Sequence, residues 1–393
     1  MSERLGRLVR EPPTGTVRQR WGTLGPNEIR VEQRTAERLV DALSVDHASS
    51  FNLFYLLRKH YWTAAGAEQE DVSDFLEDAY KRVRDLTDDL AVRIVQLGGI
   101  PPNTPPTIQE RARVHLEAED VFDLRSSLEG DLEAYGTIIA DMREHVELAD
   151  RLGDQASVEL LSDHLETLEN DAEQVEKFLE DDALVQRARP PVTRTDRQAD
   201  SGTQQPSAGA KPTHLRRPGS SHRRQRWDTV EQTELRLERS TAEGLVDAMN
   251  DELSGLYILY NQLRKHAWCV EGSGSNQLRN LFEANTARLT EMTDDIGIRV
   301  VALGGVPVSG PMGLRQHATM YIEAANHYDV RSSLERDLEG YATLAEEFRD
   351  HVELANASGD EATSDLLAGH LFTLERDLDA LDKFLADDTL VRP

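Results

Sequence analysis

The sequence predicts an all-α protein built from two copies of one four-helix bundle, each with a long crossover. Three observations support this. The stretch from Leu56 to Pro101 is matched by Gln262 to Pro307, with Trp62, Asp88 and Gly98 each 206 residues before Trp268, Asp294 and Gly304. Within each copy, apolar residues recur every three or four positions with charges between them, the pattern of a helix burying one face. No stretch alternates apolar and polar residues as a half-buried strand would.

In the first copy Leu39, Val40, Leu43, Phe51, Phe54 and Leu57 stripe the first helix, and Val72, Phe75, Leu76, Val83, Leu86 and Leu90 the second. Leu124, Leu128, Leu132, Tyr135, Ile139, Met142 and Val146 stripe the third, and Leu161, Leu165, Leu168, Val175 and Phe178 the fourth. Gly66, Gly98-Gly99 followed by Pro101-Pro102, and Gly153-Asp154 punctuate the ends of these helices. Connections within each helix pair are short and make its members antiparallel. Pro101 to Asp120 is long enough to cross the bundle, with Ile108 to Glu117 expected as a short helix.

Residues 1–16 lack periodicity and read as a mobile tail. The first domain is expected over 17–186 and the second over 223–393, joined by a disordered linker over 187–222. From Arg187 to Arg226 the chain has ten Lys or Arg against two Asp, while the whole chain carries a net charge of -28. As a flexible coil this linker spans roughly 35 Å and does little to fix the two bundles against each other. Its cations, Arg187, Arg189, Arg194, Arg197, Lys211, Arg216, Arg217, Arg223, Arg224 and Arg226, are the candidate nucleic-acid contacts, since counterion release needs charge but no fold. The competing reading is that they contact the protein's own acidic surface.

The chain has 72 acidic and 44 basic residues, and only 6 of the basic residues are Lys. Such a surface suits a protein kept soluble in concentrated salt, where repulsion between carboxylates is screened. One cysteine, Cys269, excludes an intrachain disulfide. No apolar run is long enough for a signal peptide or a membrane span, so the expected location is cytoplasmic.

The run RKHYW…LGGIP, the long crossover and the closing pattern REHVELADRLGD…FLEDDALV resemble the Dps mini-ferritins, most of all the acidic Dps proteins of halophilic archaea. The resemblance covers both copies almost end to end. It implies a ferritin-like fold and a hollow shell of twelve bundles that oxidises ferrous iron, stores ferric mineral and protects DNA from peroxide-driven damage. Six tandem chains would supply twelve bundles; a mixed shell with a single-domain Dps is the alternative, and iron is the implied cargo.

The family's oxidation centre implies a His just before the helix-end Trp, then a second His and an acid on the next helix. The facing bundle adds an Asp and a Glu. The first copy has Tyr61, Ser73, Glu77, Asp88 and Val92 at these positions, and the second has Ala267, Arg279, Glu283, Asp294 and Ile298. No pairing of copies restores an imidazole. The resemblance therefore implies an impaired ferroxidase, with Glu77, Asp88, Glu283 and Asp294 as the remaining vestigial metal ligands. Val92 and Ile298 are expected to favour dry packing. His60 and His266 stand one residue off the ligand position, about 100° around the helix, and are expected to be structural or solvent-facing. His145 and His351 suit a helix end, and Trp62 and Trp268 an interface anchor. Three functions remain open: a Dps-like iron-storage and stress-protection protein with a non-standard oxidation site, an inactive shell subunit, and a nucleoid protein acting through the linker.

Overall fold

A computed structural model describes residues 9–386 except 13, 67, 181–214 and 273. Ten helices and eight strands of two or three residues are present among them. In the first half α1 (Gln33–Thr63), α2 (Gln69–Gln96), α4 (Leu124–Leu152) and α5 (Gln155–Leu179) form the bundle, and α3 (Pro105–Arg111) lies on the crossover. In the second half α6 (Arg239–Cys269), α7 (Ser275–Ala302), α9 (Val330–Ala357) and α10 (Glu361–Leu385) do the same, with α8 (Pro311–His317) on the crossover.

The apolar stripes form the core. Leu39, Leu43, Phe54, Leu57, Leu76, Leu86, Tyr135, Met142, Leu168 and Val175 are buried in one continuous cluster with their counterparts from the second half. Inside each bundle, Arg93 reaches from the end of α2 to Asp154 at the start of α5 (2.6 Å), and Arg299 to Asp360 does the same in the second (2.8 Å). The crossover helix corrects the sequence reading: it is Pro105–Arg111, and the expected Ile108–Glu117 helix ends early in a strand. The Thr104 capping box and Pro105 start this helix before Ile108.

The arms preceding each bundle are exchanged. In the first arm β1 (Val9–Arg10) and β2 (Val17–Gln19) pair with β7 (Ile322–Glu323) and β8 (His327–Tyr328) of the second bundle's crossover. In the second arm β5 (Leu215–Arg216) and β6 (Arg223–Gln225) pair with β3 (Leu116–Glu117) and β4 (Val121–Phe122) of the first. Two expectations are thereby corrected. Part of the 1–16 tail is paired backbone, and residues 215–222 of the expected linker are structured and docked. The strands were missed because runs this short carry no alternation; their order comes from ladder hydrogen bonds to a crossover far away in sequence.

The two arms satisfy a buried carboxylate differently. Glu323 on β7 accepts from Arg336 of its own bundle at 2.7 Å. In the first bundle Gly130 stands where Arg336 would be, and Arg216 from the other half's arm enters instead, 3.3 Å from Glu117. A side chain at 130 would overlap the Arg216 guanidinium.

Each arm then runs beneath its own bundle's LGG turn. Gly98 and Gly304 have φ of 88° and 87°, and a methyl group at either would meet the carbonyl oxygen of Gly25 or Glu231. The carbonyl of Gly98 accepts from Gly25 N at 2.8 Å and from Gln19 Nε2 at 2.9 Å. We expect Gly98→Ala and Gly304→Ala each to lower stability by about 1–3 kcal/mol in chemical denaturation. Gly136→Ala, at an exposed helix position with nothing within 4 Å, should instead gain up to about 1 kcal/mol.

Candidate functional site: the paired carboxylates between the bundles

Of the three pairings open to the two copies, the chain forms one-with-two internally. Equivalent residues meet across a pseudo-two-fold axis. Phe54 stacks on Tyr260 at 6.1 Å between ring centroids, and Asn261 donates to the Tyr55 hydroxyl at 2.7 Å. Phe51 packs with Trp268 and Cys269 of the other half. Two clefts flank this axis, where the family resemblance puts iron.

In the first cleft Asp294 of α7 receives three donors from the other bundle. Arg58 Nε donates at 2.8 Å and Trp62 Nε1 at 2.9 Å, both to Oδ1, and the Tyr80 hydroxyl donates to Oδ2 at 2.6 Å. Arg58 Nη2 donates to the Thr290 carbonyl at 2.6 Å. The Arg58 side chain is fully buried and lies within 5.3–5.8 Å of the rings of Phe54, Trp62, Tyr80 and Tyr257. Tyr61 packs on Tyr80 at 5.9 Å, and burial together with the charge of Glu77 pushes its hydroxyl up to about 12.

The second cleft repeats the frame. Arg264 Nε donates to Asp88 Oδ1 at 3.0 Å, and Trp268 Nε1 donates to the same oxygen at 2.7 Å. Arg264 Nη2 donates to Thr87 Oγ1 at 2.5 Å. Here Ala267 and Thr286 replace Tyr61 and Tyr80. The space stays open as a cavity of about 350 Å³ lined by Asp88, Trp268, Arg279 and Glu283 among others.

The four carboxylates singled out from sequence therefore divide. Asp88 and Asp294 sit between the bundles, each held by a guanidinium and an indole. Glu283 lines the open cleft with Arg279, and Glu77 turns to Lys81 one helical turn away. Among the described residues no group of three or more His, Cys, Asp or Glu side chains is placed to hold a metal ion. Val92 packs against the interface cluster as expected, whereas Ile298 is 44% exposed; that expectation is corrected.

Arg58 and Arg264 were missed. Each stands four residues before the helix-end Trp, so guanidinium and indole share one helix face. That spacing was the available signal.

His60 and His266 are buried rather than solvent-facing. His60 Nδ1 lies 2.8 Å from Asp131 and Nε2 3.2 Å from Glu117, while Lys59 Nζ donates to Glu117 at 2.7 Å. Lys59 also donates to the carbonyls of Ala118 and Asp120. His266 is bound likewise, 2.8 Å from Asp337 and 3.0 Å from Glu323, with Lys265 on Glu323. Burial alone would lower a histidine, but the carboxylates of Asp131 and Glu117, and of Asp337 and Glu323, raise both to about 9. Burial alone would raise the glutamates, but His60 and Lys59, and Lys265 and His266, bring both down to about 2. His145 and His351 do not serve a helix end. They lie inside α4 and α9, where each holds a buried acid, Asp46 at 2.8 Å and Glu252 at 3.0 Å.

Of the ten linker cations, those from Arg187 to Lys211 lie outside the described residues. Arg216 binds Glu117, Arg223 binds Asp120 at 3.3 Å, and Arg224 donates to the Thr63 carbonyl at 3.4 Å. Arg217 and Arg226 line a separate cavity. Among the described residues no helix is long and apolar enough to cross a membrane.

Two helix pairs with a long crossover, doubled in one chain and facing each other across acidic clefts, define a ferritin-like protein. The ferritin-like domain model matches residues 40–185 and again 246–391, and the chain belongs to that family. Within it the chain is a tandem duplication of the Dps type. It is 44% identical over 161 residues to the DNA protection during starvation protein of Halobacterium salinarum, a match covering 41% of this chain and 88% of that protein. It is 33% identical over 171 residues to a nutrient stress-induced DNA-binding protein of Synechococcus, covering 44% of this chain and 97% of that one. The crystal structure of an archaeal Dps homologue from Halobacterium salinarum is 43% identical, covers 43% of this chain and 95% of its own, and superposes with a TM-score of 0.42.

Two outcomes follow from these buried charges. Asp294→Asn leaves the buried Arg58 guanidinium without a counter-charge and should cost about 3–5 kcal/mol. Asp88→Asn should cost less, because the Asp88 side chain is 39% exposed against 14% for Asp294; equal losses in urea denaturation would contradict this ordering. The histidine networks set a pH window. The raised His60 and His266 add stability fully present below pH 6.5 and lost as pH rises toward about 9. The lowered Glu117 and Glu323 add stability present above pH 4.5 and lost as pH falls through about 2. Thermal melting should therefore be most favourable between these limits and fall on the alkaline side. His60→Gln together with His266→Gln should flatten that alkaline decline.

Proposed function

We propose that the chain is a two-bundle subunit of a Dps-type shell serving iron sequestration and protection against oxidative stress, with its ferroxidase centres lost. The observation that carries this reading is the use of Asp88 and Asp294. The carboxylates at the family's iron positions act as counter-ions and acceptors for Arg264 with Trp268 and Arg58 with Trp62. A ferrous ion entering either cleft would have to displace a buried guanidinium, whose uncompensated charge costs several kcal/mol. It would also face a cation already in place. Imidazoles, which hold ferrous iron while leaving positions for oxidant, are absent at the matched positions. Tyr61 and Tyr80 occupy one cleft and Arg279 stands in the other.

What remains is the scaffold. Each chain carries its own pair of bundles already joined across the pseudo-two-fold, so six chains would supply a shell of twelve, or fewer would co-assemble with a single-domain Dps. Iron held by such a particle would be oxidised elsewhere, by a partner subunit or by free oxidant, and deposited against the acidic surface. A nucleic-acid role through the linker is less well supported, because Arg216, Arg223 and Arg224 are already engaged by the protein.

Ferrous oxidation followed optically with oxygen or peroxide should run no faster than in buffer. A clear rate above buffer, abolished by Asp294→Asn and Asp88→Asn, would overturn the loss of the centres. The mass of the purified particle and its iron content then separate a self-assembled iron-loaded shell from an architectural subunit.

A further inference from the structure

Arg58 and Arg264, Trp62 and Trp268, and Asp88 and Asp294 are the same residues in both copies. The buried Arg–Asp pairs are therefore available whichever faces meet, and they cannot choose among the three pairings. Other positions on the same face differ between the copies, large against small. We infer that this axis accepts only unlike faces: the first bundle's face takes the second's and rejects a further copy of itself, and the second's does the same. The partner of each face is thus fixed within the chain. The inference concerns this contact alone and stands whatever becomes of iron in the clefts.

On the axis, Tyr55 and Asn261 are counterparts 206 residues apart. They face each other, Asn261 donating to the Tyr55 hydroxyl at 2.7 Å. Tyr55 already packs on Phe51 at 5.3 Å and on Tyr257 at 5.2 Å, and the short Asn261 completes the contact. First-with-first pairing would set Tyr55 against Tyr55. Second-with-second would set Asn261 against Asn261, with the volume of a phenol missing.

Beside the axis the same contrast returns. A methyl group on Gly297 would lie 2.7 Å from the Trp62 ring. Its counterpart Ala91 carries that methyl and packs in one cluster with Trp268. The two indoles are seated differently: Trp62 tilts on Tyr257 at 6.2 Å, and Trp268 meets His47 edge-on at 5.3 Å, where the second copy has Leu253. First-with-first pairing would drive Trp62 into Ala91 on both sides of the axis. Second-with-second would seat Trp268 over Gly297 twice, each time short of a methyl.

Close-packed contacts lose stability both when overfilled and when left with cavities. The two like pairings therefore fail for opposite reasons, and the unlike pairing fills the space. Clashes built against the wrong partner separate candidates that share every attractive contact. A single-domain subunit co-assembling with this chain would then meet it at other surfaces of the bundles, because both faces of this axis are already taken.

The test uses the full chain and its unfolding midpoint in urea. Asn261→Tyr reproduces the first-with-first contact on the axis, and Tyr55→Asn the second-with-second. Each should lower the midpoint, and the swap carrying both should regain at least half of the summed loss. A single variant that fails to fold while the swap folds gives the same answer. Gly297→Ala should also lower the midpoint, although alanine is the better helix former; Gly136→Ala, with nothing within 4 Å, is the control and should not. Cross-linking reads the partner directly, in a Cys269→Ser background with a short bismaleimide. Val92→Cys with Ala267→Cys, two residues lining one cleft, should link within a single chain. Val92→Cys with Tyr61→Cys reports first-with-first contact and should give no linked chain dimers. Additive losses in the swap, an unchanged midpoint for Gly297→Ala, or chain dimers from the second cysteine pair overturn the inference. Ferrous oxidation is read separately, so failure here leaves the iron reading standing.

Discussion

A permanently charged guanidinium removed from water has to find a carboxylate, and in this protein that carboxylate lies on the other bundle. Arg58 and Arg264 are each at least 97% buried along the side chain and cannot shed their charge. Asp294 and Asp88 reach them only when the two halves face each other. The tandem arrangement is therefore more than tethering: each half completes the other's buried electrostatics. The stacked Phe54–Tyr260 and bonded Tyr55–Asn261 pairs set the axis on which both contacts depend.

The arms reinforce the same dependence from outside. Each bundle's crossover gains its strand partner from the other bundle's N-terminal segment. In the first bundle the exchanged arm also delivers Arg216 to the buried Glu117, through space left by Gly130. Glu117 in turn is shared by Lys59 and His60. Arm docking, crossover and histidine network thus form one connected set of charges, and a change in any member is felt by the others.

The two clefts show how duplication frees one copy to drift. Both keep the arginine, the indole and the aspartate that hold the halves together. Around that shared frame one cleft has filled with Tyr61 and Tyr80, while the other has kept small residues and a cavity. Interface stability depends on the frame and not on the filling, so the two fillings can diverge without loss of assembly.

Much of this was readable in the chain itself. Duplication, helix periodicity and turn glycines are local patterns, and they placed both bundles and their cores. The absent imidazoles were visible as well, because the resemblance to the Dps mini-ferritins implies ligand positions at set distances from Trp62 and Trp268. The crossover helix and the linker edge were misjudged, since two-residue strands leave no period to detect. Which copy faces which, where Arg58 and Arg264 find their counter-charge, and which arm covers which crossover were decided only by the tertiary structure. Those contacts join residues from 99 to 313 positions apart, and their energy comes from burial that exists only once both halves have folded against each other.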